Sequence, residues 1–120
     1  MKKQKFKILI SDPLSKEGVA ILERVNDFSV VEKFKMKPQQ LAKEIKEYDA
    51  IVIRSQTKLT ADIIKKADKL KVIGRAGVGL DNVDIPAASK KGIIVMNTPG
   101  GNTIATAEHA VSMMLALSRN

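Results

Sequence analysis

Leu70-Lys71-Val72-Ile73-Gly74-Arg75-Ala76-Gly77-Val78-Gly79-Leu80-Asp81-Asn82-Val83-Asp84 decides the fold, because it runs from an apolar segment into an arginine and then a cluster of glycines. An earlier apolar segment, Ile51-Val52-Ile53, also ends in an arginine, Arg54, followed by Ser55. Between the two, Thr60 suits a helix cap, and Ile63, Ile64 and Ala67 are spaced for one helical face. Strand, helix, strand is a parallel crossover. Arg54 and Arg75 therefore emerge at the same carboxyl edge of one sheet, where open α/β sheets bind ligands. The glycines let a carboxylate approach backbone N–H groups closely, and the arginines add charge and forked donors. A small, doubly anionic ligand suits such a place. The competing reading is that an arginine pairs with a local carboxylate and the glycines only turn the chain.

The same alternation continues on both sides. Phe6 to Ile10 reads as a first strand, closed by Ser11-Asp12-Pro13. A helix follows from about Ser15, a plausible N-cap, to Val25, with Val19, Ile21, Leu22 and Val25 inward. Phe28 to Val31 is a second strand, and Pro38 opens a helix to about Glu47 with Leu41, Ile45 and Tyr48 on one face. Ala50 to Ile53, apolar throughout, reads as a third strand covered on both faces. After the fourth strand at Val72 and Ile73, Asp84 caps a helix from Ile85 to Lys90, Gly92 ends it, and Ile93 to Met96 is the fifth strand. Five strands alternating with helices predict an α/β fold, a doubly wound parallel sheet. No internal repeat interrupts it, and Asn97-Thr98-Pro99-Gly100-Gly101-Asn102 reads as a hinge.

Beyond the hinge, Thr103 to Ser118 predicts a helix that is apolar nearly all the way round, from Ile104 to Leu117. Such a helix needs cover on several sides. The expectation is that further protein, or a second copy, supplies it, making a homo-oligomer through residues 103–118. An exchanged terminal helix is one form this would take.

Composition narrows the possibilities. With 120 residues there is room for one core, and with no cysteine there is neither a disulfide framework nor a thiolate metal site. The lone His109 cannot hold zinc without several carboxylates. The basic start Met1-Lys2-Lys3-Gln4-Lys5 is followed by an apolar run of only about five residues with no small-residue cleavage site, unlike a secretory signal. No stretch is long and uncharged enough to span a bilayer, so a cytoplasmic location without membrane association is expected. A formal charge of +8 raises nucleic acid as a partner. The lysines, however, are scattered between Lys33 and Lys91, and one tyrosine and three phenylalanines offer little for base stacking. A solvated lysine surface that steers anions is expected instead.

Ile53-Arg54-Ser55, the string from Gly74 to Asp84, Lys91-Gly92-Ile93, Val95-Met96-Asn97-Thr98-Pro99, Asn102 and Ala107-Glu108-His109-Ala110 together resemble the N-terminal part of the NAD-dependent D-2-hydroxyacid dehydrogenases. The resemblance runs in order over essentially the whole chain. It implies a two-domain oxidoreductase that closes over its substrate and passes hydride between the substrate C2 and a nicotinamide. Residues 1–101 would form the flavodoxin-like substrate or lid domain, and residues 102–120 the first helix of a truncated NAD-binding domain. Arg54 and Arg75 would hold the phosphate of a small phosphorylated hydroxyacid. The backbone at Gly79 would meet the carboxylate, Val78 would border the nicotinamide, and Asn102, also a candidate helix cap, would stand at the interdomain cleft.

The departures are informative. A dinucleotide site needs G-x-G-x-x-G and an acid about twenty residues later. Gly77-x-Gly79-x-x-Asn82 lacks the third glycine, and the next strand ends without an acid. The resemblance puts the NAD loop, the catalytic histidine and its paired acid after Asn120, so these 120 residues alone are expected neither to turn over substrate nor to bind NAD measurably. His109, beside Glu108 on the apolar helix, is expected to be structural. Other readings are a related lid for a different hydroxyacid and a non-catalytic anion-binding module. Asp12 after the first strand resembles the acids of phospho-accepting receiver domains, but those need an aspartate where Arg54 stands.

Overall fold

The computed structural model describes residues 3–119. Five parallel strands, β1 (Phe6–Ile10), β2 (Phe28–Glu32), β3 (Ala50–Ile53), β4 (Val72–Arg75) and β5 (Ile94–Met96), form one sheet in the order β2-β1-β3-β4-β5. The helices are α1 (Lys16–Glu23), α2 (Pro38–Glu44, continued by a tight turn Ile45–Glu47), α3 (Ala61–Lys66), α4 (Ile85–Lys90) and α5 (Thr103–Ser118). The expected doubly wound sheet is present.

Handedness explains how the layers fill. From β2 onward the chain steps across the sheet in one direction, so right-handed crossovers put α2, α3 and α4 on one face. Only the step from β1 to β2 runs the other way, which leaves α1 on the opposite face. Register then sorts the strand residues: Leu9, Ile51, Ile73 and Val95 align on the face under α2, α3 and α4. They form the core with Leu41, Ile45, Ile63, Ile64 and Ala88.

The opposite face departs from expectation. Ala50 and Val52 are only partly buried, and Ile94 and Met96 on β5 are 60% and 53% exposed, because α1 lies beside β2 and nothing described covers β4 and β5 there. Helix α1 also ends at Glu23, short of the predicted Val25, and buries no residue fully. Ile21 and Val25, expected inward, are 64% and 41% exposed. An apolar face on a helix needs an opposing layer over its whole length, and α1 has one over only part of its own.

Local signals were otherwise well placed. Ser15 caps α1 by accepting from the Gly18 N–H at 3.1 Å, and Asp84 caps α4 by accepting from the Ala87 N–H at 2.9 Å. Thr60 occupies the N-cap of α3 without a side-chain bond. Gly92 ends α4 with φ of 71°, the left-handed region that favours glycine. Lys91 is not a free surface lysine. Its Nζ donates to the carbonyl oxygens of Ile64, Lys65 and Ala67 at 3.0 to 3.1 Å, closing the carboxyl end of α3.

Helix α5 has the predicted bounds and is exposed along its length, with Ile104 and Leu117 at 74% and 77%. Gly100, at φ of 74°, turns the chain between β5 and α5.

Candidate functional site

In the order β2-β1-β3-β4-β5, the chain leaves β1 and β3 in opposite directions, so a crevice opens at the carboxyl ends of these neighbouring strands. The loops after β1, β3, β4 and β5 converge there. They enclose a cleft of about 570 Å³ lined by Leu14, Ser15 and Gly18, by Arg54, by Ala76, Gly77 and Val78, and by Thr98, Gly101 and Asn102. That volume suits a small metabolite.

Arg54 is exposed in the cleft, and its Nη1 donates to the Pro13 carbonyl at 3.4 Å. The ion pairs among the described residues are Lys3 with Asp27, Lys33 with Glu44 and Lys69 with Glu47, so neither Arg54 nor Arg75 is neutralised by a carboxylate. The competing reading of a locally paired arginine does not describe this site.

Arg75 sits differently from the side-by-side placement expected of it. Its Cα pairs in register with Ile53, next to Arg54, yet its side chain is not part of the cleft lining. The guanidinium folds back over Gly77, in space that any Cβ on Gly77 would occupy, and its Nε is buried without a protein partner. Arg75 thus packs over Gly77, outside the lining that includes Arg54. Gly79 is exposed outside the lining, near Asp81 and Arg75.

Val78 and Asn102 do line the cleft, Val78 with 42% of its surface exposed. Asn102 occupies the N-cap position of α5, but its side chain makes no capping bond, leaving the amide available to the cleft. His109 and Glu108 lie on exposed α5, outside the lining.

Several residues that hold the site together carried no role in the sequence reading. Asn97 Nδ2 donates to the Val78 carbonyl at 2.8 Å and the Thr98 N–H to the Gly77 carbonyl at 2.9 Å, fastening the glycine loop to the segment after β5. The Asp12 carboxylate, almost wholly buried, accepts from the N–H of Arg54 at 2.7 Å, the N–H of Thr57 at 3.0 Å and the Thr57 hydroxyl at 2.7 Å. Asn82 Nδ2 donates to the carbonyls of Arg54 and Thr57 at 2.6 and 2.7 Å. The only sequence signal was a carboxylate or amide placed at the end of a strand or inside a glycine loop.

The described residues do not build a dinucleotide site. Gly77 and Gly79 are followed by the short α4 rather than by a long helix aimed at a pyrophosphate, Arg75 lies over Gly77, and Asn82 is committed to backbone carbonyls. Among the described residues no group of three histidine, cysteine or acidic side chains could hold a metal ion.

Fold and cleft together define a doubly wound α/β domain with an open cleft, lined by an arginine and glycine-loop residues, at its topological switch point. The chain belongs to the D-isomer specific 2-hydroxyacid dehydrogenases: the model of that family's catalytic domain matches residues 8–119. It is 51% identical over 114 residues to the D-3-phosphoglycerate dehydrogenase of Archaeoglobus fulgidus, covering 95% of this chain and 21% of that one. To the human D-3-phosphoglycerate dehydrogenase it is 46% identical over 113 residues, covering 94% and 21%. Among solved structures, the 3-phosphoglycerate dehydrogenase of Entamoeba histolytica with NAD+ bound superposes with a TM-score of 0.80 at 37% identity, over 92% of this chain and 38% of that one. The chain spans about a fifth of the length of these curated relatives.

Proposed function

We propose that this chain is the substrate-binding portion of an NAD-dependent oxidoreductase that converts D-3-phosphoglycerate to 3-phosphohydroxypyruvate, the first step of serine biosynthesis, in the cytoplasm. The observation that carries the reading is one cleft lined by an arginine without a carboxylate partner, by glycine-loop backbone and by a free asparagine amide. Arg54 takes the phosphate, with Arg75 supporting it from behind Gly77. The loop backbone at Ala76, Gly77 and Val78, which lines the cleft, meets the carboxylate, with Gly79 adjoining it from outside the lining. Val78 and Asn102 face the side from which a nicotinamide approaches. NAD, which accepts the hydride from C2, is held by residues outside these 120, so the chain alone binds the acid without oxidising it. In the same reading residues 1–101 are the substrate domain and residues 102–120 begin the coenzyme domain. The apolar surface of α5 is then covered by that domain or by a second copy.

Titration calorimetry with D-3-phosphoglycerate tests this. Removing a charge-assisted bond costs about 1.5–3 kcal/mol, so Arg54→Ala weakens binding at least about tenfold. D-lactate, which lacks the phosphate, binds more weakly than D-3-phosphoglycerate to the unaltered chain and is indifferent to Arg54→Ala. Equal affinity of the unaltered chain and Arg54→Ala for D-3-phosphoglycerate would remove Arg54 from the site and the proposal with it.

A further inference from the structure

The segment Arg54-Ser55-Gln56-Thr57 leaves β3 and carries the cleft arginine, and it is held in an unusual way. At both of its ends, backbone donor and backbone acceptor alike are taken by side chains from other loops. Asp12, at the end of β1, accepts from the N–H groups of Arg54 and Thr57 through one carboxylate oxygen, and its other oxygen accepts from the Thr57 hydroxyl. Asn82, in the loop after β4, spends both Nδ2 hydrogens on the carbonyls of Arg54 and Thr57. The Ser11 and Thr57 hydroxyls lie 2.8 Å apart and tie the same segment to β1 once more. The backbone beyond is stitched too: the Leu59 N–H donates to the Asn82 carbonyl at 2.8 Å and the Asp84 N–H to the Leu59 carbonyl at 2.9 Å.

We infer that Asp12 and Asn82 are positioning residues that clamp the Arg54–Thr57 segment from opposite sides and so fix the guanidinium of Arg54 in the cleft. The inference rests on the reading of Arg54 as an anion ligand. An arginine on an untethered loop must be ordered when it binds, and that ordering subtracts from affinity. Here the backbone at Arg54 is ordered beforehand by groups that never touch the ligand. Chemistry also dictates which residue types can serve. A carboxylate accepts without donating and matches paired N–H groups, whereas two carbonyls need a group with two hydrogens to give, which an amide supplies and a carboxylate does not. Because Asn82 belongs to the glycine loop whose backbone at Ala76, Gly77 and Val78 lines the cleft, the clamp also sets the spacing between the arginine wall and the backbone wall.

The test is titration calorimetry of D-3-phosphoglycerate against the unaltered chain, Arg54→Ala, Asn82→Ala, Asp12→Ala and Ile64→Val, with amide hydrogen exchange at Arg54 and Thr57. Asn82→Ala is expected to bind about three- to tenfold more weakly while its circular dichroism stays native. Asp12→Ala is the sharper arm, since it removes a negative charge near Arg54 together with both acceptor oxygens of the clamp. Charge alone would tighten anion binding, and a broken clamp weakens it and speeds exchange of both amides. Ile64→Val, a core change on α3 away from the cleft, keeps full affinity, which separates positioning from loss of stability. If Asn82→Ala does not fold, Thr57→Val serves instead, deleting the hydroxyl bonds to Asp12 and Ser11 at constant shape, with weaker binding again expected. Full affinity in the clamp variants alongside impaired binding in Arg54→Ala overturns the clamp and leaves the role of Arg54 standing. Full affinity in Arg54→Ala overturns both.

Discussion

Gly77→Ala places one methyl group where the Arg75 guanidinium lies, and the local geometry determines the outcome. A Cβ built on Gly77 collides with Nη1 of Arg75 and stands 3.1 Å from its Cζ. Gly77 is not among the glycines with positive φ, so alanine meets no backbone strain there. The obstacle is the tip of a flexible side chain, and the arginine swings aside. Removing a glycine's freedom in the unfolded chain stabilises by about 0.4–1 kcal/mol. Re-seating a guanidinium whose Nε has no protein partner breaks few native bonds. These effects offset each other, and fold stability should stay within about 1 kcal/mol of the unaltered chain.

Affinity should respond differently. Arg75 lies outside the cleft lining and supports the anion by charge rather than by a direct bond, worth about 0.2–1 kcal/mol for a partly screened pair, so a guanidinium that keeps its charge but loses its position lowers binding of D-3-phosphoglycerate at most about fivefold. Calorimetry and thermal melting on the same samples measure the two quantities. Arg75→Ala gives the full loss for comparison, and Gly74→Ala is the control, because a Cβ there meets nothing within 4 Å. If Gly77→Ala binds like the unaltered chain while Arg75→Ala is impaired, the seat over Gly77 is not where Arg75 acts. A stability loss beyond about 3 kcal/mol would show that the backbone, not the guanidinium, is what demands glycine.

Lys91→Met removes the ammonium that closes α3 and should lower stability by about 1–3 kcal/mol; an unchanged melting temperature would reject that role. Tyr48, the single tyrosine, is buried against α2, and desolvation raises its phenol above the ordinary 10.0 despite an opposing pull from Lys33. Its contribution is full below pH 10 and is lost as pH rises through the higher folded value, so tyrosinate absorbance of the native chain should titrate above 10, and a midpoint at or below 10 refutes the burial argument. Sizing at several concentrations examines α5: association that grows with concentration, and is reduced by Leu117→Glu, is expected of an uncovered apolar helix, and a concentration-independent monomer would reject it.

The fold was legible because its signals are local and redundant. Each strand is built around apolar residues and bounded by a turn, and Ser15, Asp84 and Gly92 mark helix ends by chemistry that acts within a few residues. Legibility stopped where an answer depended on a partner distant in sequence. The apolar spacing of Ile21 and Val25 says that a helix has a side fit for burial, but not that a layer waits to bury it, and over β4 and β5 none does among the described residues. For Arg54 and Arg75 the strand pattern fixed the Cα positions, because parallel register puts Ile53 opposite Arg75. It could not fix the side chains: Arg75 turns back because Gly77 leaves a void, and Arg54 stays in the cleft because its own backbone is held. The holding groups, Asp12 and Asn82, are 42 and 28 residues away, and their partners are N–H and carbonyl groups that every residue possesses. A side chain that binds backbone leaves no complementary residue type to find, so the part of the site that presents the cleft arginine becomes readable only once the loops have closed around it.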